Sequence, residues 1–224
     1  MQNKPSNEFV ILLHGLGRTR FSMSRIAKKL DAAGYIVVNC GYPSTRGDIG
    51  YLVDQHVAKA VAKCRNRNAA KIHVVTHSLG GILIRGYLQR NSLPAGSRIV
   101  MLGPPNRGSE VVDQLRKFAL FKWILGPSAV QLGTGPDSVP NRLNRIGQQI
   151  GIIAGNVSSD PWFSRIFAGA HDGKVSVHRT RLDEMADFLV LPCGHTFIMR
   201  SQSAIDQIET FLRAGRFKHE SDDR

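Results

Sequence analysis

One serine in this chain lies in a context that favours nucleophilic chemistry. Ser78 follows the apolar run Ile72 to Val75 through Thr76 and His77, and a segment with helical spacing begins directly after it. A serine at so sharp a turn from strand to helix has a strained backbone and a hydroxyl exposed above the carboxyl edge of a sheet. The helix amino terminus adds positive potential where an oxyanion would form. A serine that only caps the helix is the alternative interpretation.

The turn around Ser78 requires small side chains two residues before and after the serine, because strand and helix nearly touch there. Gly80 meets this requirement on the helix side. Thr76 occupies the strand side, where the pattern has glycine, and is a departure from it.

The elements that must position this serine can be read from the apolar runs. Helical stripes separate six short apolar runs, most of them continuous, as is typical of strands covered on both faces. Strands that alternate with helices predict a parallel, doubly wound sheet. The longest connection, 104–149, contains a predicted helix near Glu110 to Leu125 that is rich in bulky apolar residues. The predicted strands are Phe9 to Leu13, Tyr35 to Val38, Ile72 to Val75, Ile99 to Leu102, Ile150 to Ala154 and Phe188 to Leu191.

The composition is that of a globular protein with a strongly basic surface. Of 224 residues, 42% are hydrophobic and 21% are charged, which suits a single domain over 1–224. No apolar run reaches the roughly 18 residues that a transmembrane helix needs. The net charge of +13 favours anionic surfaces, including phospholipid headgroups. No nucleic-acid motif organises the basic residues, so we expect no specific nucleic-acid partner.

The number of cysteines and the polarity of the amino-terminal segment bear on the cellular compartment of the protein. Cys40, Cys64 and Cys193 cannot all pair, which favours a reducing environment. The polar start from Met1 to Glu8 lacks the layout of a secretory signal, so we expect the cytoplasm unless a signal has been removed. No cysteine, histidine or carboxylate cluster has ligand spacing, so we expect neither a metal nor another cofactor.

Several segments together resemble the α/β-hydrolases, and within them the small bacterial lipases and esterases. The segments are Thr76-His77-Ser78-Leu79-Gly80, Leu13-His14-Gly15-Leu16-Gly17 and Gly103-Pro104-Pro105-Asn106-Arg107-Gly108-Ser109. The resemblance implies an α/β-hydrolase fold, with a mostly parallel sheet of about six strands, helices on both faces and a compact cap or lid-like segment at 104–149. It also implies that the backbone N–H groups of Leu16 and Leu79 form an oxyanion hole.

The same resemblance implies where the general base lies. The family places its histidine after the last strand, and here Pro192-Cys193-Gly194-His195-Thr196 follows that strand and opens the predicted final helix. His195 is therefore the expected base. His14 resembles a structural residue of its loop. Cys193 has no nucleophile turn, so we expect it to be unreactive. The remaining histidines lie in less suitable segments: His56, His73, His77, His171, His178 and His219.

The acid has two candidates, both beyond the fifth predicted strand. His171-Asp172-Gly173-Lys174-Val175 resembles the Asp-Gly-x-Val pattern of lipases, in which the aspartate completes the triad. Asp160, in Ser-Ser-Asp-Pro, is the alternative, although that context is typical of a turn. With Asp172 as the acid, the order Ser78, Asp172, His195 is the one that this fold uses.

The expected chemistry is hydrolysis of a carboxylic ester through an acyl-enzyme, with a lipid ester as one candidate substrate. A thioesterase or an acyltransferase would use the same triad and is the alternative. A non-catalytic binding module on this scaffold would have a broken triad, whereas every member is present here. The aromatic residues of 104–149 could line an acyl pocket or only cover the sheet edge, and the sequence leaves both interpretations open.

Overall fold

The computed structural model describes residues 7–158 and 164–219. Its centre is a six-stranded parallel sheet with the strand order β2-β1-β3-β4-β5-β6. The sequence-based prediction of six parallel strands is confirmed. The strands are β1 (Glu8–Leu13), β2 (Ile36–Cys40), β3 (Lys71–His77), β4 (Arg98–Leu102), β5 (Gln149–Gly155) and β6 (Asp187–Leu191).

Helices cover both faces of the sheet, as predicted. Helices α1 (Ser24–Ala32) and α9 (Gln202–Ala214) pack on one face with Val10 and Leu12. On the other face, Ile11 and Leu13 pack with α4 (Leu79–Leu88) and with a continuous helical segment. This segment is made of α2 (Ile49–Leu52), a π turn (Val53–Val57) and α3 (Ala58–Arg65). Side chains of β1 alternate between the faces because successive residues of a strand point to opposite sides. The other helices are α5 (Glu110–Leu115), α6 (Ala119–Val130), α7 (Val139–Arg142) and α8 (Val177–Thr180).

The single helix predicted near Glu110 to Leu125 is wrong. Two helices, α5 and α6, occupy this region, and Phe118 between them has extended backbone. A kink at Gly126 divides α6 as well, with φ at 77°. Gly126 precedes Pro127, which disfavours helical backbone before it, and a side chain at Gly126 would collide with the carbonyl of Thr45.

The predicted start of the final helix is also wrong. Helix α9 begins at Gln202, where the Ser201 hydroxyl caps it by accepting a hydrogen bond from the Ala204 N–H. Between His195 and this cap the chain forms a turn and a short 3-10 helix (Ile198–Arg200). Phe197 consequently lies exposed at the surface and does not join the buried stripe of α9.

The sheet topology gathers the carboxyl ends of β3, β5 and β6 at one edge. Because all strands run parallel, the segments that follow them emerge on the same side. Ser78 follows β3, Asp172 follows β5 and His195 follows β6. Within the described ranges, no helix has the length and apolar character needed to cross a bilayer.

Candidate active site

Ser78 forms the sharp turn between β3 and α4. Its φ of 51° and ψ of −118° lie in a region that non-glycine residues rarely adopt. The turn is held by a hydrogen bond from the Ser78 N–H to the Leu102 carbonyl at 2.9 Å. A Cβ at Gly80 would lie 2.6 Å from the Leu13 carbonyl oxygen, so only glycine lets α4 approach β1 this closely. The expected strained geometry is therefore present at Ser78.

A neighbouring glycine accommodates Thr76, the residue that departs from the sequence pattern. Thr76 is fully buried at the end of β3. A Cβ at Gly81 would lie 3.4 Å from the Thr76 hydroxyl oxygen and 3.0 Å from Cβ of Pro104. The Thr76 side chain therefore fits at the turn because Gly81, on the helix opposite it, has no side chain.

His195 lies between Ser78 and Asp172. Its Nε2 is 3.0 Å from Oγ of Ser78, and its Nδ1 is 2.7 Å from Oδ2 of Asp172. The His195 backbone N–H donates to the Asp172 carbonyl at 2.9 Å, which joins the two loops directly. Both side chains are largely removed from water, with 9% of His195 and 3% of Asp172 exposed. Three side chains distant in the sequence therefore form one continuous hydrogen-bonded chain.

The carboxylate of Asp172 is oriented by its own turn. Oδ1 accepts hydrogen bonds from the backbone N–H groups of Lys174 at 3.0 Å and Val175 at 2.8 Å. Gly173 has a φ of 96°, which the tight turn requires. Oδ2 is thereby directed at His195. Asp160, the alternative acid, lies outside the described residues.

Two glycines at strand ends make room for this pair, and sequence reasoning missed both. Gly103, with φ at 51°, follows β4, and a Cβ there would lie 3.0 Å from Oδ2 of Asp172 and 3.1 Å from Nδ1 of His195. A Cβ at Gly155, the last residue of β5, would lie 3.0 Å from Cβ of Asp172. A glycine directly after a predicted strand was the available signal, because such positions meet at the carboxyl edge.

His77 contacts the backbone of His195, a role that sequence reasoning also missed. Its Nε2 lies 3.0 Å from the His195 carbonyl oxygen, so this nitrogen carries the proton and donates it. Burial and the nearby His195 ring lower the pKa of His77 well below its ordinary value. A neutral His77 thus holds the segment that presents His195.

His14 has a structural environment, consistent with the expectation for its loop. Its ring stacks on Tyr42 at 3.9 Å between centroids, and its Nδ1 lies 2.9 Å from the Gly15 carbonyl. Burial lowers the pKa of His14, which favours the neutral ring. His73 lies in β3, 3.1 Å from the Glu8 carboxylate and far along the strand from Ser78.

A cavity of about 210 Å³ opens beside Ser78 and His195. Its walls are mainly apolar, and Arg18 and Lys174 add positive charge. Most of the apolar wall comes from the connection between β4 and β5. The large apolar side chains on the wall include Leu16, Val112, Leu115, Phe121, Leu125 and Leu132. Among the described residues, no group of three or more cysteine, histidine or carboxylate side chains could hold a metal ion.

Cys193 precedes the histidine loop but is poorly suited to nucleophilic chemistry. Burial, and then the negative charge of Asp172, raise the pKa of its thiol to about 11. Since the thiolate is the reactive form, only about 10⁻³ of this thiol is ionised near pH 8.

We therefore expect iodoacetamide near pH 8 to modify Cys193 far more slowly than free cysteine. The modification rate should rise as the pH approaches the raised pKa. Peptide mass spectrometry over a time course measures this rate, with free cysteine in the same tube as the reference. If Cys193 were modified as fast as free cysteine near pH 8, its thiol pKa would not be raised and this prediction would be contradicted.

A family model matches most of this chain. A model of the alpha/beta hydrolase family matches residues 10–200. The chain belongs to the alpha/beta hydrolase family. The resemblance seen in the sequence is confirmed, and the matched region contains Ser78, Asp172 and His195. A comparison with curated protein sequences gives no match.

Several solved structures share this fold at low sequence identity. A lipase of Bacillus licheniformis in its mature form is 18% identical, with 95% of each chain covered and a TM-score of 0.75. The phospholipase PlaB of Legionella pneumophila is 17% identical over 95% of this chain and 60% of its own, with a TM-score of 0.69. A metagenomic carboxyl esterase is 15% identical over 93% of this chain and 76% of its own, with a TM-score of 0.64. At such identities these similarities concern the fold alone.

Proposed function

We propose that this hydrolase cleaves carboxylic esters, as an esterase or a lipase, with Ser78, His195 and Asp172 as its catalytic triad. The observation that carries the proposal is the hydrogen-bonded chain from Ser78 through His195 to Asp172. A nucleophile, a base that touches it and an acid that orients the base form the constellation of acyl transfer. The apolar cavity beside it would receive the acyl group.

In the proposed mechanism, Oγ of Ser78 attacks the ester carbonyl while Nε2 of His195 takes the hydroxyl proton. Collapse of the tetrahedral intermediate breaks the carbon–oxygen bond of the ester, and the imidazolium gives its proton to the leaving alcohol. Water then attacks the acyl-enzyme with the same histidine as base, which releases the carboxylic acid and restores Ser78. Asp172 fixes the histidine tautomer and stabilises the imidazolium.

The backbone N–H groups of Leu16 and Leu79 are the proposed oxyanion donors. Leu79 is the first residue of α4, where a backbone N–H has no partner within the helix. A Cβ at Gly15 would lie 3.2 Å from Cβ of Ser78, so the loop that carries Leu16 passes directly beside the nucleophile. Among the hydrogen bonds of the described residues, neither N–H has an acceptor. Both are thus available to a developing oxyanion.

The segment 104–149 is proposed as the acyl-binding cap of a single hydrolase domain over 1–224. It supplies Val112, Leu115, Phe121 and Leu125 to the cavity wall. Of the two interpretations left open by the sequence, this contact supports the acyl pocket. The lipase and phospholipase among the structural neighbours are consistent with a lipid ester. The free thiols of Cys40, Cys64 and Cys193 support a reducing compartment such as the cytoplasm.

A panel of p-nitrophenyl esters with increasing acyl length tests the proposed activity. Because the cavity is mainly apolar and has a volume of only about 210 Å³, we expect kcat/KM to rise from acetate to a medium-length acyl chain and then to fall. An acyl-thioester and an acyl-amide of the preferred length are the comparison substrates. A clear preference for the thioester would mean that the protein is a thioesterase and not an esterase or lipase. The absence of turnover on all of them would refute the hydrolase proposal.

A further inference from the structure

Large apolar side chains point away from the protein around the mouth of the cavity. Trp123 is 82% exposed and Phe21 is 72% exposed, although both are side chains that folding normally buries. Four more belong to the same surface, which we call the rim. The rim consists of Phe21, Phe118, Leu120, Trp123, Ile124 and Phe197.

The rim residues come from the three segments that also line the cavity. Arg18, three residues before Phe21 in the sequence, lines the cavity, and so does Thr196, which directly precedes Phe197. Phe121 and Leu125 line it from α6. The segments adjoin one another: a Cβ at Gly17 would lie 3.8 Å from a methyl group of Leu125. The 3-10 turn Arg20–Met23 packs beside Ile198–Arg200. The segments that carry the exposed apolar side chains therefore adjoin one another beside the opening.

Helix α6 has apolar residues on both of its sides. Phe121 and Leu125, one turn apart, face the cavity, whereas Trp123 and Ile124 face outward with Lys122. The outward side chains are not part of the cavity wall, so an acyl group bound there leaves them exposed. Beyond Gly126 the helix is fixed to the body of the protein by a hydrogen bond from the Ser128 hydroxyl to the Ser44 carbonyl at 2.6 Å. The segment that carries the apolar outer face is thus anchored at its carboxyl end.

The stretches of sequence that carry the rim contain basic residues and no acidic ones. No aspartate or glutamate occurs in 9–30, 114–136 or 188–205, the stretches that contain the rim. Arg116 and Lys29 in these stretches pair with Asp113 and Asp206, whereas Lys122 is exposed. Arg20 and Arg200 lie over the rings of Phe21 and Phe197, at 5.3 and 5.7 Å. Arginines therefore lie over two of the rim's aromatic rings, and Lys117 and Lys122 are the sequence neighbours of Phe118 and Trp123.

We propose that the rim is a docking surface for an anionic phospholipid bilayer, which places the mouth of the cavity at the lipid surface. A bilayer interface offers apolar depth for tryptophan and phenylalanine and negative headgroups for lysine and arginine. A second copy of this chain would bring the same positive charge and be repelled. The proposal deepens the proposed function, because a lipid ester in the bilayer would then face Ser78.

Vesicle cosedimentation tests this docking on the Ser78→Ala variant, which consumes no lipid. Vesicles of phosphatidylcholine with phosphatidylglycerol in equal parts are compared with vesicles of phosphatidylcholine alone. We expect binding to the anionic vesicles only, with a steep loss of binding as salt is added. On this background, Lys122→Glu should weaken binding by about tenfold and Trp123→Ala by about fivefold.

Lys63→Glu is the matched control for charge. Lys63 is exposed on α3, which ends where the chain turns toward the start of β3, at the sheet edge opposite Ser78. We expect this variant to weaken binding by less than about threefold. If Lys122→Glu and Lys63→Glu weakened vesicle binding equally, binding would depend on the net charge of the protein and the proposal would be overturned. Binding unchanged by Trp123→Ala would also overturn it.

Two further readouts separate the remaining explanations. Size-exclusion chromatography of wild type and Trp123→Ala should show the same molecular size; dissociation of an oligomer by the substitution would mean that a second copy covers the rim. Trp123→Ala with Ser78 intact should hydrolyse a soluble short-chain ester within about twofold of wild type, because the side chain lies outside the cavity. Docking can thus fail while ester hydrolysis stands, and hydrolysis can fail while docking stands.

Discussion

Replacement of Ser78 by alanine is expected to lower kcat/KM for a soluble ester by about 10⁴-fold or more. The oxygen that lies 3.0 Å from Nε2 of His195 is lost, and no other hydroxyl among the described residues hydrogen-bonds to that nitrogen. Alanine fits the strained turn no worse than serine, so the thermal unfolding midpoint should change little. Steady-state kinetics with a p-nitrophenyl ester and a thermal melt measure the two quantities.

Ser109→Ala is the matched control for this change. Ser109 also lines the cavity, but its hydroxyl donates to the Lys174 carbonyl at 2.7 Å and lies in the loop before α5. We expect it to lower kcat/KM by less than about tenfold, through the position of that loop. A Ser78→Ala variant that keeps the wild-type rate would remove Ser78 from the mechanism. A comparable loss in both variants, with both proteins folded, would mean that the Ser78 effect is not specific to a nucleophile.

Asp172→Asn is expected to lower kcat/KM by about 10² to 10⁴-fold. The two backbone N–H groups that bind Oδ1 require an oxygen there, so the asparagine carbonyl takes that position. The amide nitrogen then faces Nδ1 of His195 and donates to it. This favours the tautomer with its proton on Nε2, which cannot accept the proton of Ser78. The loss therefore follows from the wrong tautomer in an otherwise preserved shape.

Asp160→Asn is the comparison for this variant, because Asp160 is the alternative acid. We expect it to lower kcat/KM by less than about tenfold. The reaction rate of Ser78 with a fluorophosphonate should fall in Asp172→Asn and stay near wild type in Asp160→Asn. The reverse pattern would move the acid to Asp160 and leave the proposed roles of Ser78 and His195 unaffected.

The parts of this protein that were predictable from sequence depend on local pattern. Continuous apolar runs separated by helical stripes are sufficient for a parallel sheet, since a strand buried on both faces has few polar positions. The turn at Ser78 and the histidine after β6 are also local signals. Ser78 and His195 come close together because parallel strands bring their carboxyl ends to the same edge of the sheet.

The parts that were not predictable depend on contacts between distant segments. Gly103 and Gly155 matter because Asp172 and His195 occupy the space that a side chain would need. The break at Phe118 between α5 and α6 lies inside a run of bulky apolar residues that predicted one helix, and no helical period reports it. The start of α9 was misplaced because Ser201, rather than the apolar stripe, sets that end of the helix.

Covalent labelling of the intact protein tests the central proposal most directly. An alkyl fluorophosphonate should modify the enzyme at one site, and peptide mass spectrometry should assign the adduct to Ser78. Labelling should be lost in Ser78→Ala and should slow strongly in His195→Ala, which lacks the base at Nε2. Labelling at another residue, or an unchanged rate of labelling in Ser78→Ala, would contradict the proposal that Ser78 is the nucleophile of this hydrolase.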